Sequence, residues 1–201
     1  MRALVRRFDA FLSRVHGIYA FCDESDCLLR LQRIPAPREL RLGGRVVAAG
    51  EPVLAIHLHN ERIPPLPPAG PNLPWAVLVR RLFLRSLAHV AAEMRRDPRL
   101  GDVRAVGNDT TGLLTLEDPH DGGARLLEKL GFTILPHRTP LGFLGEFCEN
   151  FYSWVLMWAY NPGSLRGRRF SRLRRTEVWM PTGEFLAKFG AEAADADHHQ
   201  R

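Results

Sequence analysis

The chain has 201 residues, 45% of them hydrophobic and 25% charged, which excludes a disordered polymer and fits one globular domain with a sizeable core. Net charge is +6, and of 28 basic residues only Lys129 and Lys188 are lysine. That bias fits anionic partners gripped by the planar guanidinium fork, or equally a GC-rich genome that favours arginine codons. Cys22, Cys27 and Cys148 make neither a disulfide framework nor a zinc spacing. The N-terminus lacks an unbroken apolar signal core, and no window of about 18 residues is free of charge. The expectation is a reduced, cytoplasmic chain whose membrane contact is peripheral to the inner membrane.

In chain order, residues 3–19 read as an amphipathic helix with Leu4, Phe8, Phe11, Leu12, Val15 and Ile18 on one face and Arg6, Arg7, Ser13 and Arg14 on the other. Segments 27–34 and 45–49 read as strands around the Gly43-Gly44 turn, and 52–63 as a third strand after Gly50. A proline-rich surface connection, PPLPPAGPNLP, leads into a helix over 75–96, whose stripe is Ala76, Val79, Phe83, Leu87, Val90 and Met94. That helix stops near Asp97-Pro98. Then come a strand over 103–106, a loop over 107–120, a short helix over 124–130 with Asp121 as N-cap and Gly131 as its stop, and a strand over 132–135. A helix over 143–160, an arginine loop, a strand over 177–180, one or two helical turns over 183–189 and a polar, disordered tail over 191–201 finish the chain. The order describes one α/β (α+β) domain over 1–190, a single mixed sheet flanked by helices.

Three groups carry the candidate chemistry. On a strand His57, His59 and Glu61 share one face, opposite Leu54, Ile56 and Leu58. Two imidazoles and a carboxylate suit a divalent metal or acid–base catalysis near neutral pH; a solvated strand end is the plain alternative. Glu146 and Glu149 share a helix face with Asn150 and Ser153; the pair could serve as acid and base, and reads more simply as the helix's wet side. The opposite face, with Leu144, Phe147, Phe151, Trp154, Val155 and Trp158, reads as core, and Tyr152 and Leu156 widen the apolar arc enough to suggest an interface. Beyond that helix stand Arg166, Arg168, Arg169, Arg172, Arg174 and Arg175. With Trp154 and Trp158 they suit an anionic lipid or glycolipid surface; a loop whose arginines cap carbonyls is the competing reading. No helix-turn-helix, zinc-finger or RNP pattern accompanies them, so no specific nucleic acid is expected. The sequence does not identify a cofactor.

Two resemblances add to this. DGGARLLEKLGF (121–132) is similar to the GCN5-related N-acetyltransferase pattern at Ala124, Lys129, Gly131 and Phe132, with Asp121 in place of the usual Asn and Leu127 where a tyrosine often serves as general acid. The resemblance implies an acetyltransferase-like strand and helix order. However, prolines without amide donors occupy the place of that family's pyrophosphate-binding loop. Over most of the chain, through EPVLAIHLHNERI (51–63), residues 126–134 and FYSWVLMWAYNPGSLRGRR (151–169), the sequence resembles YkoP-like domains. That resemblance implies work in envelope polysaccharide or glycolipid metabolism, as an accessory to a polysaccharide deacetylase. The alternative is an acyltransferase-like enzyme acting on a lipid-linked or sugar substrate, and a weaker one is a nucleic-acid-binding module. The Asp-Asp and His-x3-His metal motifs of the deacetylase itself are absent from the sequence.

Overall fold

The computed structural model describes residues 1–108, 122–137, 142–166, 168–170, 173 and 175–198. Helix α1 (Arg2–Val15) precedes strands β1 (Leu29–Pro35), β2 (Leu40–Leu42), β3 (Arg45–Val47) and β4 (Pro52–Leu58). Next come α2 (Leu73–Arg96), β5 (Ala105–Asn108), α3 (Gly122–Lys129), β6 (Thr133–Pro136), α4 (Gly142–Tyr160), β7 (Thr176–Pro181) and α5 (Thr182–His198). The main sheet runs β1-β4-β5-β7-β6. Within it β4 and β5 are parallel, and the other neighbours antiparallel. This is the mixed sheet flanked by helices that the element order implied.

Strand β4 lies inside the sheet because its residues are apolar on both faces: Val53, Leu54, Ala55 and Ile56 are all buried. Leu54 and Ile56, with half-buried Leu58, point at the core that α2 and α5 close through Phe83, Leu87, Val90, Met94, Phe185 and Phe189. On the other face Val53, Ala105 and Trp179 meet Leu40, Leu42 and Val47 of the β2–β3 hairpin. Its two-residue turn needs positive φ at both Gly43 (+52°) and Gly44 (+86°), which glycine adopts without strain.

Helix α2 starts at Asn72, whose side chain accepts from Trp75 N at 3.0 Å, and ends at Asp97 ahead of Pro98. The outer edge of β1 is met by Tyr19, which exchanges two backbone hydrogen bonds of 2.9 Å with Leu31.

Three expectations need correction. The strand expected to reach Ile63 ends at Leu58, and Asn60–Arg62 form a 3-10 turn. The segment 45–49 joins a separate two-stranded sheet with Leu40–Leu42 rather than the main sheet. The final helix is longer than one or two turns, running to His198 and so into the stretch assigned to a polar tail. The expected Asp121 cap and most of the 107–120 loop lie outside the described residues.

The larger surprise concerns α1 and α4. The only buried residues of α1 are Asp9 and Ser13, while Leu4, Phe8, Phe11 and Val15 are 53–70% exposed. Helix α4 buries Gly145, Asn150 and Ala159 and leaves Phe143, Leu144, Phe147 and Phe151 exposed. The two helices pack against each other, each with polar groups inward and an apolar row outward. The side of α4 expected to be wet is the inner one, and Leu144, Phe147 and Phe151 are not core.

Candidate functional site

Where β4 and β5 leave each other the sheet opens. Their pairing covers only Leu54 with Val106 and Ala55 with Gly107. At the next step the buried Asn108 amide donates to Ile56 O at 2.5 Å and closes the gap that a backbone pair would otherwise fill. Gly107 is required beside it: a Cβ there would stand 1.9 Å from Val178 O and 2.6 Å from Trp179 Cε3.

Beyond this point lies a cavity of about 1390 Å³, with the sheet below, α1 and α4 above, and the first turns of α2 and part of α3 at the sides. Its lining mixes Leu12, Ile18, Leu58, Phe83, Leu156 and Met157 with Arg30, His57, Glu61, Tyr152, Tyr160 and Arg175. An apolar volume with a few convergent charged groups is the usual form of a small-molecule site.

His57 projects from β4 on the face away from the α2 core. Its Nε2 lies 2.9 Å from Gln32 Oε1, while Gln32 Nε2 donates to His16 O at 2.7 Å. The carbonyl of His16 fixes which end of the amide faces His57, so His57 Nε2 is the donor and Nδ1 is the basic nitrogen. Burial, with Arg30 and His16 adding to it, pushes the ring's pKa down to about 4, so His57 is neutral near pH 7. Arg30 donates to Ser13 Oγ at 3.3 Å and to Leu58 O at 3.2 Å, tying α1 to the end of β4.

Asp9 is the hub of the roof. Tyr152 OH donates to its Oδ1 at 2.8 Å; Tyr160 OH stands 2.9 Å from its Oδ2 and 2.9 Å from Glu61 Oε1. Burial and these carboxylates raise both phenols' pKa, so each keeps its proton. Tyr160 has one proton to share between the two carboxylates, both of which line the cavity. Arg6 lies over the Tyr160 ring at 5.2 Å and donates to Ala159 O at 2.9 Å.

Across the roof Arg175 is almost wholly buried. It donates to Asn150 Oδ1 at 3.0 Å, Ser153 Oγ at 2.7 Å and Glu149 O, with the Glu149 carboxylate 3.4 Å away. His137 Nε2 meets Glu149 at 2.9 Å, and its Nδ1 lies 3.7 Å from Glu177, a charge contact rather than a hydrogen bond. Glu177 and Glu149 together hold the His137 pKa above its ordinary value against the effect of burial.

The structure therefore divides the expected site residues. His57 and Glu61 both line the cavity, but the early end of β4 turns the third member aside. His59 lies 3.5 Å from Glu61 through Nε2 and does not join His57, so the trio does not converge as metal ligands. Among the arginines, Arg168 lines the cavity, Arg169 is exposed, Arg166 bonds to Pro68 O on the proline segment, and Arg175 is an internal strut rather than a surface cation. Arg172 and Arg174 lie outside the described residues. Trp154 is half-buried against Phe170, with ring centroids 5.8 Å apart, and Trp158 carries Arg2 5.2 Å above its ring.

Asp9, Gln32, Arg30 and Tyr160 were missed from sequence. Asp9 offered one signal, as a lone acid among arginines on an otherwise clean helical pattern.

No helix among the described residues is long and apolar enough to cross a membrane. No curated protein and no solved structure matches the chain. The family model of the YkoP domain matches residues 27–189, a span that takes in every strand, α2 to α4 and most of the cavity lining, and the chain belongs to that family.

Proposed function

We propose that this domain docks peripherally on an anionic lipid surface at the cytoplasmic membrane face and receives the polar end of a lipid-linked glycan in its cavity, serving envelope polysaccharide or glycolipid metabolism beside a deacetylase. The observation that carries the reading is the inside-out packing of α1 and α4. Two helices that roof a charged cavity turn Leu4, Phe8, Phe11 and Val15, and Phe143, Leu144, Phe147 and Phe151, toward the outside. Exposed apolar rows of this kind favour an interface with something apolar. Arg7 and Arg14 are exposed beside the α1 row, and the net charge is +6, so a negatively charged bilayer complements them.

Co-sedimentation with phosphatidylglycerol-containing against phosphatidylcholine vesicles tests this. Binding should prefer the anionic vesicles and weaken with salt, because charge attraction is screened over ~8–10 Å near physiological ionic strength. Phe8→Asp with Phe11→Asp should abolish binding to both, and Arg7→Ala with Arg14→Ala should remove only the preference. Negligible binding to both vesicles at low salt, or a stable dimer that buries the same rows, would overturn it.

A second reading, acyl transfer to a sugar or lipid-linked acceptor, draws support from β4 and β5, parallel neighbours that part after two pairs, and from the neutral imidazole of His57 at the opening. The six prolines between Pro64 and Pro74 stand against it, since they offer no amide donors to a pyrophosphate. Acetyl-CoA hydrolysis or transfer by the wild type that is lost in His57→Gln is the outcome this reading requires.

A further inference from the structure

Outside the cavity lining, the loop between residues 22 and 27 lies against the middle of α2. Cys22 Sγ, a Glu24 carboxylate oxygen and a ring nitrogen of His89 all fall within 4.8 Å of one another. His89 Nε2 stands 3.5 Å from Glu24 Oε2 yet makes no hydrogen bond with any group, although the atom is buried. Two ligands each ~2.0–2.1 Å from a tetrahedral zinc lie about 3.4 Å apart, so this separation is that of co-ligands. A buried imidazole nitrogen without a partner is unfavourable unless something else occupies its lone pair.

The loop is held in place independently of any ion. Arg62, on the turn after β4, donates through Nη1 to the carbonyls of Cys22, Glu24 and Cys27. Asp26 pairs with Arg85 at 2.7 Å, and Leu28 N donates to Ser86 Oγ at 2.8 Å, both partners lying on the α2 stretch that carries His89. Five ordered contacts thus hold the backbone and flank of the loop, the arrangement of an outer shell that positions ligands. Cys27, fully buried, directs its thiol to Leu29 O at 3.7 Å and stands beside the Cys22 thiol.

We propose that Cys22, Glu24 and His89 form a binding site for a zinc-class divalent cation, with water in the fourth position. One thiolate, one imidazole and one carboxylate are a donor set that suits zinc and excludes magnesium and calcium, which take oxygen ligands. The cysteine spacing alone gives no zinc pattern because the third ligand comes from a helix more than sixty residues on. The site does not depend on the lipid reading and is tested without lipid.

The purified full chain, reduced with a non-thiol reductant, should bind one zinc per chain in competition with a chromophoric chelator. Loaded with cobalt, it should show the near-ultraviolet thiolate-to-metal band that a sulfur ligand produces. His89→Gln and Cys22→Ser should each weaken binding on the order of 100-fold, since each removes one of a few strong bonds. Glu24→Gln should weaken it about tenfold, and Cys148→Ser should leave it unchanged. His89 is on a helix surface, so its variant keeps the test valid if the loop variant fails to fold. Substoichiometric zinc, wild-type affinity in His89→Gln, or a Cys22–Cys27 disulfide in the unreduced protein with no zinc uptake after reduction would overturn the assignment.

Discussion

His57 makes a proton count visible. Its folded pKa is held near 4 while an exposed histidine titrates near 6.5, so as pH falls the unfolded chain takes up its proton first. This residue's contribution is intact above pH 6.5 and is lost between 6.5 and 4, by roughly 3 kcal/mol. His137 acts with the opposite sign. Raised by Glu177 and Glu149, it stabilises the fold fully below pH 6.5 and loses that effect as pH rises through its folded pKa. Urea titrations at pH 7 and pH 4.5 should therefore show a smaller loss of stability on acidification in His57→Gln than in the wild type. An unchanged difference would mean the ring is solvated and the cavity around it open. Gly107 is a second residue-scale test. Its missing Cβ makes room for the Val178 carbonyl and the Trp179 ring, so Gly107→Ala should cost at least about 3 kcal/mol, read from the urea midpoint.

At the scale of elements, α1 separates two properties that usually coincide. Phe8 is exposed, so Phe8→Asp should shift stability by no more than about 0.5 kcal/mol while impairing lipid docking. Asp9, one residue on, accepts from two phenols inside the roof. Asp9→Ala strands the Tyr152 phenol and leaves Tyr160 only Glu61, and should cost roughly 2 kcal/mol with a lower melting temperature. The reverse pattern, a large loss for Phe8 and none for Asp9, would show that α1 packs the ordinary way round. The same helix marks the limit of reading sequence by pattern. Periodicity located α1 and α4 and set Phe8 and Phe11 apart from Ser13, and Phe147 and Phe151 apart from Glu149 and Asn150, because a 3.6-residue repeat requires only the sequence; it also grouped Leu12 and Tyr152 with the apolar rows, although both line the cavity. It could not say which face turns inward, since the usual rule assumes water outside and an apolar core inside. Here the inner surface is a charged cavity, and Asp9, Asn150 and Glu149 find partners there that no local pattern announces.

For the whole molecule, the sheet was legible because it follows generic rules. Leu54 and Ile56 alternate toward α2, and β4 is apolar on both faces, which only an internal strand tolerates. The functional cluster was legible by half. His57 and Glu61 lie at the cavity, but the strand was carried past Leu58, and the 3-10 turn there rotated His59 out of the set. Contacts that bring Cys22 to His89, or Asp9 to Tyr160, depend on how the layers stack, and no spacing rule reaches so far along the chain.

The Tyr19–Leu31 bridge has a consequence for self-association. An exposed edge strand offers a row of amides and carbonyls that another chain can extend. Along β1 that row is interrupted midway, where Tyr19 already holds both the amide and the carbonyl of Leu31. A second molecule cannot continue the sheet across this border without first displacing it. Copies that meet at high concentration are thus hindered from stacking through β1, while contact through their helices, which mild detergent separates, stays open.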